Sequence, residues 1–397
     1  MIMSRLWCRA LPLAFASLLA LRAARPQSPE TARVGTPALD FSGVIYANYQ
    51  YRSDSATRAA NGGKPGSKFD VERVYLNFRM PAGDRASIRV TADIFNNGDA
   101  ATNGYYKGWI ARFKYAYLQL NVSNDLAGVK GLGALMRFGM LHTVVIDHEE
   151  GFWPRYLGQV AIERNGFFSS ADVGAAVAVT LPHRWGEVYG TITNGPGYTA
   201  SESDRFKDVA LRVSLTPFAN REALGGWLNT LTVSPWAYAG QTASKFQNGG
   251  VGQVGGVSDG LARNRYGLFV GNKDRRLAFG LDYARRTETA EGGTNTATSP
   301  RTTTDVTGKV TSVFAIARPA AWKDVNSRSA IWGIIARCDE FKPDDTKGPA
   351  NRFTTYSLFW EPTPRVTVSL DVQHQARKRG STTPESNVLF LHWQALF

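Results

Sequence analysis

From Phe41 onward, apolar and polar positions alternate with a period of two in stretches of about ten residues, each followed by a turn or loop. In VERVYLNFRM, Val74, Leu76, Phe78 and Met80 alternate with Arg73, Tyr75, Asn77 and Arg79. In DVALRVSLT, Val209, Leu211, Val213 and Leu215 alternate with Asp208, Ala210, Arg212 and Ser214. Sixteen such stretches run from FSGVIYANYQY to NVLFLHWQALF, and their connections alternate in length. Short ones contain PAGD, PHRW, NKDR and PTP. Long ones, such as RSDSATRAANGGKPGSK and QTASKFQNGGVGQVGGVSDGLA, are rich in Gly, Asn, Ser and Thr. Short turns at one end and long loops at the other predict an all-β fold: a transmembrane antiparallel β-barrel of sixteen strands, with eighteen as the alternative. The apolar face is then the lipid face, and the polar face lines a wet interior.

Composition fits this reading and removes others. Mean hydropathy is −0.25, and no apolar run outside the N-terminus approaches the roughly 20 residues of a spanning helix. Residues 1–24 carry Arg5 and Arg9, an apolar core and small residues near Ala23, the layout of a cleaved secretory signal peptide. A periplasmic N-terminal segment is expected at 25–39, and the barrel at 40–397. Cleavage would remove Cys8 and leave Cys338 alone, so no intramolecular disulfide would hold the fold. It would also take Arg5, Arg9 and Arg22 from the 46 basic residues, leaving 43 against 33 acids. A net charge of +10 invites anions. Aromatic residues near strand ends, Tyr49, Tyr51, Trp109, Trp227, Trp360 and Trp393, fit interfacial girdles.

The third long connection, from Thr143 to Ala171, is expected to fold into the lumen and form a constriction, with Asp147, Glu149, Glu150, Arg155 and Arg164 facing the pore. A solvated external loop is the alternative. By parity Arg73, Arg79, Arg89, Arg137, Arg212, Arg265 and Arg337 point inward, against the acids Asp93, Asp208, Asp282, Asp339 and Asp371. Rows of arginine attract anions and hold phosphate or carboxylate bidentately; the alternative is that they pair with acids and stiffen the wall. Loop cations Arg377, Lys378 and Arg379 suit lipopolysaccharide phosphates or solvent. His142, Asp147, His148 and Glu149 match no strong metal spacing, and no catalytic constellation is present. Neither enzyme activity, cofactor, metal nor nucleic-acid partner is expected.

Several stretches resemble the phosphate-selective porin O and P family of outer-membrane channels: VERVYL, KDVALRVSLTPF, IIARCDEF, YSLFWEPTPRVTVSLDVQ and the closing FLHWQALF. The resemblance implies a 16-stranded homotrimeric barrel with an inward third loop that passes anions, for some members phosphate or pyrophosphate. It places Arg73, Arg212 and Arg337 on the motif arginines, and it makes Phe397 the terminal aromatic that the barrel-assembly machinery recognises. The lysine cluster and arginine ladder of the phosphate-specific members have no clear counterpart here. The expected function is therefore passive diffusion of small hydrophilic solutes, with anions preferred, across the bacterial outer membrane. A structural or adhesive barrel with a closed pore is the runner-up.

Overall fold

The computed structural model describes residues 38–97, 108–202, 204–221, 226–376 and 385–397. The expected signal peptide, nearly all of the segment 25–39, and Arg377, Lys378 and Arg379 lie outside the described residues. The strands are β1 (Asp40–Arg52), β2 (Gly66–Pro81), β3 (Ala86–Asn97), β4 (Gly108–Ser123), β5 (Gly133–His142), β6 (Ala171–Leu181), β7 (Gly186–Thr193) and β8 (Asp208–Leu215). They continue as β9 (Thr232–Ala243), β10 (Gly260–Lys273), β11 (Leu277–Gly292), β12 (Thr302–Ala317), β13 (Trp332–Lys342), β14 (Asn351–Thr363), β15 (Val366–Ala376) and β16 (Ser386–Leu396). Each pairs antiparallel with its sequence neighbours, and β1 pairs with β16, so the sheet closes on itself. Closure satisfies every strand edge, which an apolar solvent requires.

Strand composition decides which side faces out. In β14, Tyr356 and Leu358 are exposed while Thr355, Ser357 and Phe359 are buried. The same parity leaves Phe138, Val173, Leu268, Leu281, Ile334 and Leu370 exposed on other strands. An apolar outer face around a polar inner one is stable only with lipid outside. Trp332 and Trp360, stacked with ring centroids 5.5 Å apart, mark the rim on the short-turn side. Replacing the lipid-facing Tyr356, four residues in from Trp360 and near the middle of the apolar band, by Arg should therefore cost about 2–4 kcal/mol in denaturant unfolding from a bilayer. Replacing its inward neighbour Ser357 should cost much less; equal losses would refute the assignment of faces.

The seam where the cylinder closes carries a buried ionic tie. On β16, His392 stands opposite Asn48 of β1 and has its Nδ1 2.7 Å from Asp371 Oδ1 on β15. Its Nε2 lies 3.8 Å from Glu72 Oε1, which a bulge in β2 turns inward. Phe390 stacks on the imidazole from one side and Tyr156 meets it edge-on. The tie thus spans β15, β16 and β2 around the joint where the barrel closes. Leu389, Leu391 and Trp393 face outward and His392 and Gln394 inward, as the alternation requires.

Candidate functional site: a charged interior

A soluble protein would build its core between layers. Here the most deeply buried apolar side chains belong to the connection 143–170 and to the strand faces it touches. Val144, Val145, Ile146, Ile162 and Phe167 are wholly buried, and short helices at Ile146–Glu150 and Ala161–Arg164 punctuate the segment. Trp153 packs edge-on against Phe314 of β12, and Phe152 against Phe269 of β10. Room for these rings comes from missing side chains: a Cβ at Gly280 would overlap the Phe314 ring.

The segment is irregular, so many of its carbonyls lack backbone partners, and inward side chains of the wall supply them. Arg212 of β8 donates to Val144 O and to Glu187, with Nε on Ser214 Oγ at 2.8 Å. Arg265 of β10 donates to Phe167 O and to Glu288 at 2.6 Å. Arg286 of β11 reaches Asn165 O and Gly166 O at 3.3 and 3.2 Å. Arg337 of β13 donates to Gln159 O at 2.8 Å while gripping Asp339 with two bonds of 2.8 and 2.7 Å. Gln373 of β15 donates to Leu157 O at 3.0 Å, and His148 meets Ser234 of β9 at 2.9 Å. Six strands between β8 and β15 therefore clamp one segment, and four of the clamps are arginines.

These contacts change what the expected anion-binding arginines do. Arg212, Arg265 and Arg337 hold the connection and neighbouring acids, so their charge is already answered. Arg73 is also answered: it shares the buried Asp93 with Arg112, at 2.7 and 3.0 Å. Glu149, expected at the pore, is instead buried against the wall. Burial first, and then the nearby charge of Asp282, push its carboxyl well above the ordinary range. The reason is helical geometry: with Ile146 and Glu149 on one face of a short helix, packing Ile146 against the wall carries Glu149 with it. Glu150 pairs with Arg155 at 2.9 Å, and Arg164 lies over the Phe353 ring.

The opposite part of the interior, β2 to β5, is less balanced. Arg79 and Arg89 stand directly opposite each other on the inner face, a like-charge pair, and Asp40 of β1 stands opposite Arg79 on its other side without coming within 4.0 Å. Arg89 contacts Thr91, Asn77 and His142, and lies over the Tyr115 ring at 4.6 Å. Arg137 donates to Gln119 and lies near the rings of Tyr117 and Tyr189. Among the described residues, Arg79, Arg89 and Arg137 have no carboxylate within 4.0 Å. Asp147 is half exposed and 3.4 Å from His142. The wall around it works against its charge, but His142 beside it and the cations Arg89, Lys114 and Arg137 hold its carboxyl below the ordinary range.

Lys114 is the residue that parity misplaces. Simple alternation through FKYAY puts it on the lipid face, where a cation costs about 2–4 kcal/mol at mid-bilayer. A register shift against β3 turns it inward beside Tyr115, 4.6 Å from the Tyr75 ring and 3.9 Å from Glu150. That cost is the sequence signal of the bulge. Arg112 owes its inward position to the same bulge, since alternation counted from Tyr115 would turn it to the lipid; Arg286, also absent from the expected inward set, follows ordinary parity from Asp282 and Ala284.

No protein-family model matches the chain, and no curated protein matches it. Solved structures do. The anion-selective porin from Comamonas acidovorans superposes with a TM-score of 0.60 at 10% identity, over 91% of this chain and 100% of that one. OmpF of Salmonella typhi, solved with daunomycin, gives 0.59 at 10% identity, over 90% and 97%. The outer membrane channel DcaP of Acinetobacter baumannii gives 0.58 at 9% identity, over 92% and 99%. At such identities the likeness is one of fold: this chain has the barrel architecture of outer-membrane porins.

Proposed function

We propose that the protein is an outer-membrane porin that lets small hydrophilic solutes diffuse passively, with anions preferred. Its constriction is the connection 143–170 folded into the lumen, facing the basic wall of β2 to β5. The observation that carries the anion preference is the inward pair Arg79 and Arg89, joined by Arg137, whose charge no carboxylate within 4.0 Å answers among the described residues. The name of the Comamonas porin, which shares the fold, supports the same direction of selectivity. Sequence motifs similar to phosphate-selective porins extend the solute class to phosphate-like anions. Export through a cleaved signal peptide, folding by the barrel-assembly machinery with Phe397 as its signal, assembly as a homotrimer and contact with lipopolysaccharide complete this reading.

Electrostatic selection acts by enriching counter-ions near unanswered charge, and it weakens as salt screens it. In planar bilayers the purified protein should form steady channels whose reversal potential in a KCl gradient reports preference for chloride. Replacing Arg79, Arg89 and Arg137 together by Ala should lower the anion-to-cation permeability ratio several-fold. A wild type preferring cations would overturn the anion reading. A wild type without steady conductance would replace the porin by a closed barrel of structural role.

A further inference from the structure

The outer face of the barrel carries one row of cations that the channel reading leaves unused. Arg285 of β11 stands directly opposite Lys309 of β12, and Lys309 directly opposite Lys342 of β13. All three point outward, because their neighbours point in: Ala284 and Val310 are wholly buried, Arg286 reaches the connection 143–170, and Phe341 packs on Phe167. Opposed residues on paired strands sit about 5 Å apart, so three like charges side by side repel one another. Asp345 answers them in part, at 2.9 Å from Lys309 and 3.8 Å from Arg285, while Lys342 donates to its backbone carbonyl at 2.7 Å. Three cations against one carboxylate leave an excess of two charges on the lipid side. One row below, Glu340 and Arg352 answer each other at 3.3 Å and change nothing in that excess. Two residues above Thr307, Asp305 is engaged by Thr289 at 2.7 Å.

Height along the wall identifies the partner. Lys342 lies ten residues beyond Trp332, whose stack with Trp360 marks the short-turn rim. Ten residues of strand measure about 33 Å, or roughly 25 Å of vertical height at a tilt of about 40°, which is the height of the apolar band of such barrels. The exposed residues between the two levels include Ile334, Leu281, Val313, Leu358 and Tyr283, all apolar or aromatic, while the mutually paired Glu340 and Arg352 and the polar Thr311 lie in the row next to the cations. The row therefore sits where hydrocarbon ends and headgroups begin, on the long-loop side. We infer that Arg285, Lys309 and Lys342 form a binding site for the phosphate groups of an outer-leaflet lipopolysaccharide, with its acyl chains lying along the apolar surface beneath. A phosphate bridging adjacent cations accepts charge-assisted hydrogen bonds from more than one of them, which a single Asp345 carboxylate cannot supply to all three. The site rests on the outer-membrane reading of the fold.

The test is binding of purified lipopolysaccharide to the detergent-folded full chain, followed by native mass spectrometry, with dephosphorylated lipopolysaccharide and inorganic phosphate as further arms. Wild type should retain the phosphorylated lipid. The triple variant Arg285→Ala, Lys309→Ala, Lys342→Ala should bind it at least tenfold more weakly, with channel conductance unchanged. Asp345→Asn should bind it more tightly, and this arm holds even if the triple variant folds poorly. Equal retention by wild type and triple variant would overturn the site, as would retention of dephosphorylated lipid as strong as that of the intact one. Displacement of the lipid by inorganic phosphate at matched phosphate concentration would assign the row to free anions and overturn the lipid partner. Conductance of the wild type tests the porin reading separately, so the two failures are distinguishable.

Discussion

Arg337→Ala is expected to release the connection 143–170 from the wall, raising single-channel conductance and current noise and lowering the stability of the folded barrel by about 3–5 kcal/mol. The guanidinium is almost fully buried and makes every bond its fork allows toward Asp339, with one more to Gln159 O. It also lies 4.5 Å from the Trp153 ring, which it pins against Phe314. Removing it leaves Asp339 buried with only Ser312 as a partner, close to Asp282, and strips a carbonyl of its donor. Uncompensated burial of charge is the largest single penalty a point change can impose here. Arg337→Lys should recover little, because a single ammonium cannot serve a carboxylate bidentately and a carbonyl together. Adding Asp339→Ala to Arg337→Ala should recover much of the stability and none of the loop attachment. Urea titrations of the folded protein in vesicles measure the first quantity, and open-channel noise the second. Noise and midpoint both unchanged in Arg337→Ala would show that the connection is held elsewhere.

How much of this was legible in the sequence depends on the range of the forces involved. Strand number, closure order and the two faces follow from local alternation and turn composition, and all sixteen stretches from FSGVIYANYQY to NVLFLHWQALF became strands. Parity could suggest an inner face for Arg212, Arg265 and Arg337. It could not say what they meet there. Arg212 reaches a carbonyl 68 residues away, Arg337 one 178 away and Gln373 one 216 away, and no periodicity encodes such pairings. Lys114 escaped for the opposite reason: a single bulge inverts local parity, and bulges are set by the partner strand. Glu149 escaped because a short helix inside a long connection has too few turns to show a face.

The distribution of charge inside the barrel follows from these two ranges together. Wall arginines from β8 to β13 are consumed by the segment that crosses in front of them, so their positive field is largely neutralised at short range. Arg89 of β3 and Arg137 of β5 have aromatic rings and amides as neighbours instead, and rings supply attraction without neutralising charge. A lumen built this way is polarised across its width.

Gly43→Val is expected to prevent most of the chain from closing into a heat-resistant barrel. Gly43 and Phe397 exchange both backbone hydrogen bonds, at 2.8 and 3.0 Å, and the aromatic ring of Phe397 lies over the bare glycine. That ring continues a ladder across the seam, 5.9 Å from Phe41, which is 5.2 Å from Phe78 on β2. A Cβ at position 43 would overlap the outer edge of the ring at its Cζ, so valine must push the ring aside and strain the last pair of the β1 and β16 ladder. Overpacking at about 1–3 kcal/mol and two weakened hydrogen bonds at about 1 kcal/mol each act on the joint that closes the cylinder. Phe397→Ala removes the ring but keeps both backbone bonds, so it should be milder, near the 0.5–1.5 kcal/mol typical of an aromatic pair plus its burial. Combining the two should be less harmful than Gly43→Val alone, because the alanine leaves space for the valine. The folded fraction after refolding, read from heat-modifiable migration on gels, ranks the three variants. Gly43→Val folding as well as wild type would mean that the ring does not occupy the glycine's place. A double variant as poor as Gly43→Val would locate the damage in the β1 backbone instead of in the contact between the two residues.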